Sequence, residues 1–201
     1  MLKRIVCLLC FCMMFGCAKG NTIGEKADFS GYEGFQETEH LFVNSDVKDL
    51  VNRIENKETC VAFFGFANCP WCNEALPILN ELSKANQQTI LYVNTRPNSS
   101  VKSNTEIPDY DLLLEAIGST FSLDDEGKHH LYVPFVVFVK NGEVVYYHEG
   151  TTADHDATER KMTQEEVEEL RSTYAIGFDV IKELNLNDTY SYHLSRKLRN
   201  L

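Results

Sequence analysis

Apolar residues recur along this chain with two periods, and the changes between them mark out its elements. Val47, Leu50, Val51 and Ile54 fall at helical spacing behind Ser45 and Asp46, two cap candidates, which predicts a helix over about 46–57. Cys60 to Phe66 is nearly all apolar and bulky, the pattern of a central strand covered on both faces. From Pro70, the residues Leu76, Ile78, Leu79 and Leu82 continue a helix to about Ala85, with Pro77 expected to kink it. Thr89 to Asn94 reads as a second strand, Asp109 to Phe121 as a short helix, and Val133 to Val139 as a third strand. Asn141-Gly142 is the dipeptide a type I′ hairpin prefers, so that strand should pair antiparallel with Glu143 to His148. Thr163 with Glu166 forms a capping box, and Val167, Leu170 and Tyr174 behind it form the stripe of a last helix that Ile176 to Leu184 extends. This order predicts an α/β layout with helices on both faces of a mixed sheet.

The amino terminus changes which residues enter that fold. Lys3 and Arg4 precede an apolar run from Ile5 to Phe15 that is too short for an ordinary spanning helix, so residues 1–16 read as a targeting signal. Gly16-Cys17-Ala18 follows it. This resembles the bacterial lipoprotein signal, which implies lipidation of Cys17 and a membrane-anchored, extracytoplasmic protein at the cell surface or in the periplasm. Met14 and Phe15 depart from that signal's pattern, and ordinary cleavage or an uncleaved anchor are the alternatives. Residues 17–40, rich in Gly, Glu and Lys, read as a tether, 41–184 as one domain, and 185–201 as a polar, then basic, tail.

Without the signal, 17 basic side chains face 30 acidic ones, a net charge of −13, which argues against nucleic acid as a partner. Three of the seven cysteines, Cys7, Cys10 and Cys12, leave with the signal, so the chain is no disulfide-stapled scaffold.

The chemistry concentrates in FFGFANCPWC, Phe63 to Cys72. With a strand ending near Ala67 and a helix starting near Pro70, Cys69 sits at a helix N-terminus, where the macrodipole and unpaired amides stabilise a thiolate. Cys72 lies about one turn inside. Cys69 can then attack a substrate disulfide and Cys72 can resolve the mixed disulfide, with no metal or organic cofactor needed. The competing readings of this pair are a structural disulfide and a zinc half-site, but no second CxxC exists and His129, His130, His148 and His155 lack zinc-finger spacing. Trp71 is expected to be exposed beside the sulfurs as a flat contact for peptides, with partial burial as the alternative. Cys60 reads as an inert hydrophobe in a strand, Glu74 as a solvated first-turn carboxylate, and His129 and His130 as exposed loop residues; a redox or proton-transfer role is the alternative for each. The polar stretch Arg96 to Ile107 is either a recognition segment or a disordered loop.

Over residues 42–175 the chain resembles the thioredoxin superfamily. Phe64 to Cys72 matches its strand and active-site turn, Pro77 stands where its active-site helix is kinked, Val133-Pro134 matches its cis-proline loop, and Asn141-Gly142 with Gly150 matches its closing hairpin. GFANCPWC followed by Glu74-Ala75-Leu76-Pro77 is similar, more narrowly, to bacteriocin transport accessory proteins. The resemblance implies a three-layer α/β/α thioredoxin-like fold with a mixed central sheet. It makes Cys69 the attacking thiol, Cys72 the resolving thiol and Pro134 a cis proline beside the sulfurs, with Pro70, Trp71 and Val133 contacting substrate. Two features depart from thioredoxin itself: Phe63 stands where that family buries an aspartate, and the inner dipeptide is Pro70-Trp71.

The expected activity is an extracytoplasmic thiol–disulfide oxidoreductase acting on cysteine-containing secreted peptides or proteins. It would use the Cys69–Cys72 couple and a separate electron donor or acceptor. The alternative is a non-catalytic peptide-binding accessory protein of a bacteriocin or peptide export system.

Overall fold

The computed structural model describes residues 22–198, with side chains described as far as 182. The signal segment and Cys17 lie outside the described residues. Five strands, β1 (Phe42–Ser45), β2 (Cys60–Gly65), β3 (Ile90–Asn94), β4 (Phe135–Lys140) and β5 (Glu143–Glu149), form one sheet in the order β1-β3-β2-β4-β5. β3 runs parallel to both β1 and β2, whereas β4 is antiparallel to β2 and β5. The sheet is therefore mixed, as expected.

The two faces of the sheet can be read from alternation along its buried strands. Val61, Phe63, Ile90, Tyr92, Val136 and Phe138 join one buried cluster, while Ala62, Phe64, Leu91, Val93, Phe135 and Val137 join the other. Helices α2 (Pro70–Asn86) and α4 (Gln164–Leu198) pack on the first face; α1 (Val47–Glu55) and α3 (Tyr110–Ile117) pack on the second. Asp46 caps α1 by accepting from the Asp49 N–H at 2.8 Å. Thr163 and Glu166 close the expected capping box on α4, with Thr163 N–H donating to Glu166 at 2.7 Å and Glu166 N–H to the Thr163 hydroxyl at 3.3 Å. Asn141 and Gly142 both take positive φ, 51° and 81°, as a type I′ turn requires. A Cβ on Gly142 would also lie 2.3 Å from the Ile54 carbonyl, so that close approach of backbones needs glycine.

One strand lies outside the predicted elements and one expectation is corrected. First, β1 has no counterpart among the predicted elements. It has four residues and alternates buried and half-buried positions, too short a run to stand out from the helix signal that follows. Second, residues 22–40 are no tether. Gly24 N–H donates to Asn44 O at 2.8 Å, Asn44 N–H to Glu25 O at 2.8 Å, and Ala27 N–H to Phe42 O at 3.0 Å. The segment thereby covers the free edge of β1. Phe29, Tyr32 and Phe35 then bury their rings in the first cluster, Phe29 standing edge-on to Tyr32, Phe35 and Phe42. Composition missed this because three aromatic residues carry the burial within an otherwise polar stretch. The expected tail from 185 lies within the span of α4 as far as Leu198.

Candidate active site

β2 ends at Gly65, and the chain turns through Phe66 to Asn68 before α2 opens at Pro70. Proline suits the first position of a helix, where its missing N–H is not needed. Cys69 is the N-cap: its backbone is extended and its sulfur accepts the Cys72 N–H at 3.1 Å. The macrodipole of a 17-residue helix and this amide both favour negative charge on Cys69 Sγ. Cys69 and Cys72 are joined as a disulfide with their Cα atoms 5.2 Å apart. Cys69 retains 3 % of its surface and Cys72 none, so Cys69 is the less deeply buried of the two.

The peptide bond Val133–Pro134 is cis, as the resemblance implied. It brings the Val133 carbonyl within 3.7 Å of Cys69 Sγ, across 64 residues of sequence. Pro134 is buried and its carbonyl accepts the Gly150 N–H at 2.8 Å, which ties the loop to the end of β5. Val133 is half-buried beside the sulfurs. Pro70 lines an open depression with Asn68, Ala157 and Thr158, between the Cys69 turn and the loop after β5.

Trp71 differs from expectation. It is half-buried against the first cluster, and its indole N–H donates to the His155 carbonyl at 3.3 Å. That hydrogen bond belongs to a network in the 150–163 loop that local sequence did not signal. His155 is buried, with Nδ1 2.9 Å from the Thr151 hydroxyl and Nε2 3.1 Å from the Arg160 carbonyl. Glu74 also departs from expectation: its side chain keeps only 8 % of its surface, accepts the Met162 N–H at 2.6 Å, and faces His155 Nε2 at 3.6 Å. The loop is thus fastened over the first turn of α2.

Phe63 fills its position with a fully buried ring. The polar groups beneath the disulfide are instead two tyrosines, whose hydroxyls lie 3.0 Å apart. Burial raises the pKa of both; Tyr92 is pushed up to about 12, with the hydrogen bond from Tyr32 opposing, and Tyr32 higher still. Both are therefore neutral at ordinary pH. The other candidate groups stand apart from the sulfurs. Cys60 is buried on the opposite face of the sheet, and burial pushes its thiol up to about 11. His129 Nδ1 lies 2.9 Å from the Phe121 carbonyl, and His130 packs on Tyr132 with ring centroids 4.5 Å apart. Among the described residues no group of three or more His, Cys, Asp or Glu side chains is placed to hold a metal.

The 96–107 segment is built into the domain. Arg96 lies 4.7 Å above the Phe66 ring, and Asn104 donates to the Leu131 carbonyl at 2.9 Å, two residues before Val133. It therefore braces both the turn before Cys69 and the cis-proline loop.

No family model matches the chain, and no curated protein matches it. Among solved structures it is similar to the oxidised thioredoxin of Plasmodium falciparum, at 20 % identity over 68 % of this chain and 99 % of that one, with a TM-score of 0.36. Thioredoxin O2 of Arabidopsis thaliana in its oxidised state aligns at 15 % identity over 60 % of this chain and 88 % of that one, TM-score 0.36. Trichomonas vaginalis thioredoxin aligns at 20 % identity over 55 % and 85 %, TM-score 0.35. At such identities and scores these neighbours carry no argument about activity. The thioredoxin-like α/β fold is the one the strand order, the cis Val133–Pro134 bond and the cysteine-capped α2 describe.

Proposed function

We propose that the protein is a thiol–disulfide oxidoreductase working through Cys69 and Cys72. One observation carries this reading: the Cys69 sulfur caps α2, is bonded to the fully buried Cys72, and faces the carbonyl that precedes a cis proline. In the reducing direction the Cys69 thiolate attacks one sulfur of a substrate disulfide, forming a mixed disulfide and expelling the other sulfur as a thiolate. Cys72, as thiolate, then attacks Cys69 Sγ, which restores the Cys69–Cys72 bond and expels the second substrate sulfur. The substrate gains two electrons and two protons, and the protein loses both. Oxidation of a substrate dithiol is the same sequence reversed.

The substrates in this reading are cysteine-containing secreted peptides or proteins, and a separate electron donor or acceptor resets the pair. An extracytoplasmic location, with Cys17 lipidated, rests on the basic start and apolar run before Gly16-Cys17-Ala18. Among the described residues no helix is long and apolar enough to cross a membrane. A role beside a bacteriocin or peptide exporter rests on the GFANCPWC resemblance alone.

The test is trapping. Cys72→Ser should accumulate mixed disulfides through Cys69, detectable as reducible adducts by mass spectrometry, and Cys69→Ser should form none. A Cys72→Ser protein that captures no thiol partner from disulfide-bearing peptides would contradict direct exchange.

A further inference from the structure

Cys72 must become a thiolate each time the disulfide opens, yet it has no exposed surface and lies in an apolar cluster. A buried thiolate without a hydrogen-bond donor is strongly disfavoured. We propose that the Tyr32 hydroxyl, oriented by Tyr92, is the donor that holds the Cys72 sulfur as a thiolate. This rests on the oxidoreductase reading above and supplies the group that Phe63 lacks.

Gly65 has the two groups on the same side of it, both bordering the space where a side chain would stand. The point where a Cβ on Gly65 would stand is 3.2 Å from Cys72 Sγ, 3.3 Å from the Tyr32 hydroxyl oxygen and 2.8 Å from the Phe63 ring. Glycine therefore leaves no side chain between the sulfur and the hydroxyl. The Phe63 ring closes the same space with an apolar surface. In the disulfide form Tyr32 donates to Tyr92 at 3.0 Å. Two hydroxyls hold two protons but share one hydrogen bond, so one O–H is always left over. Rotating both reverses the bond, makes Tyr92 the donor, and frees the Tyr32 proton to turn toward Cys72.

The redox step then balances without a proton leaving tyrosine. When a substrate thiolate attacks Cys69 Sγ, the Cys69–Cys72 bond breaks and its electron pair departs on Cys72; the Tyr32 O–H donates a hydrogen bond to that sulfur and keeps its proton. In the reverse direction the same bond holds Cys72 as the thiolate that attacks Cys69. Other titratable groups share this region, among them Tyr174, whose buried hydroxyl has no hydrogen-bond partner among the described residues. Cys69 caps the same helix, and Glu74 turns to Met162 and His155. Tyr174 of α4 and, half-buried, Tyr146 of β5 belong to the same cluster, while His148 of β5 bonds the Thr151 carbonyl at 2.8 Å. His40 packs edge-on to Phe29 and tilted against Phe35, on the residues that precede β1.

The experiment is a pH titration of the Cys72 13Cβ resonance in full-length Cys69→Ser protein carrying labelled cysteine, which needs no turnover. Adding Tyr32→Phe should raise the Cys72 pKa by about one unit, a tenfold loss of thiolate at fixed pH. Adding Tyr92→Phe instead should raise it in the same direction, through loss of the partner that orients Tyr32; this variant also serves should Tyr32→Phe fail to fold. An unchanged or lowered Cys72 pKa in either folded variant would overturn the assignment. A wild-type protein that exchanges with no disulfide would sink the oxidoreductase reading and leave this titration standing.

Discussion

Cys60 and Cys69 carry the same side chain and are both nearly buried, but the groups around their sulfurs differ. Cys69 caps a helix beside an amide donor, whereas Cys60 sits inside β2, where burial lifts its pKa from an ordinary 9.0 to about 11. Cys60 should resist alkylation at pH 8 in the native protein while reduced Cys69 reacts; peptide mapping after iodoacetamide treatment checks this, and modification of Cys60 at the rate of Cys69 would contradict it. The same shift bears on stability. A thiol whose folded pKa is raised contributes stability below its unfolded value, and that contribution is lost as pH rises toward the folded one. Stability to urea should therefore fall from about pH 9 to pH 11, less steeply in Cys60→Ala. At this scale the sequence was informative where chemistry is local, at Cys69, Cys72 and the Val133-Pro134 bond. It was silent on Tyr32 and Tyr92, read Glu74 as solvated and did not place His155 beside Trp71, because these placements arise from contacts such as Tyr32 with Tyr92, across 60 residues, and Trp71 with His155, across 84.

Among the elements, the segment before β1 departs furthest from expectation. If it were a tether, truncating Phe29 would be neutral. Because Phe29 is buried among four aromatic rings and His40, Phe29→Ala should cost roughly 3 kcal/mol in urea denaturation. A change below about 0.5 kcal/mol, typical of surface substitutions, would restore the tether. Helix α4 meets the sheet through a residue that tolerates no side chain: a Cβ on Gly177 would lie 2.4 Å from the Phe138 ring. Gly177→Ala should therefore destabilise the protein by about 1–3 kcal/mol despite alanine's better helix propensity. The loop after β5 has its own reporter, since Trp71 is the chain's one tryptophan. Thr151→Ala with His155→Ala should loosen the loop over Trp71 and shift its fluorescence to the red, with an unshifted spectrum counting against that fastening. The helices, the central strands and the hairpin were legible because their periods run over six or more residues or end in a diagnostic turn. β1 and the 22–40 segment were not, because edge pairing and three spaced aromatics leave no periodic trace.

On the scale of the whole molecule, elements distant in sequence converge on one pair of sulfurs. β2 and α2 deliver Cys69 and Cys72; the loop before β4 brings the Val133 carbonyl; the residues before β1 and those of β3 supply the buried hydroxyls; and the 150–163 loop holds Trp71. The proposed redox role and a structural disulfide remain the two readings of this pair. The two differ in one measurable quantity, because structural disulfides of secreted proteins generally have reduction potentials below roughly −300 mV, whereas oxidoreductase pairs span about −270 to −120 mV. The most direct measurement is therefore a redox titration of the full-length protein against glutathione and dithiothreitol buffers, followed by Trp71 fluorescence and by thiol labelling of Cys69 and Cys72. The account predicts a single two-electron transition with a midpoint inside the oxidoreductase range, absent from Cys69→Ser. A midpoint below about −300 mV would contradict it and leave the pair a structural staple.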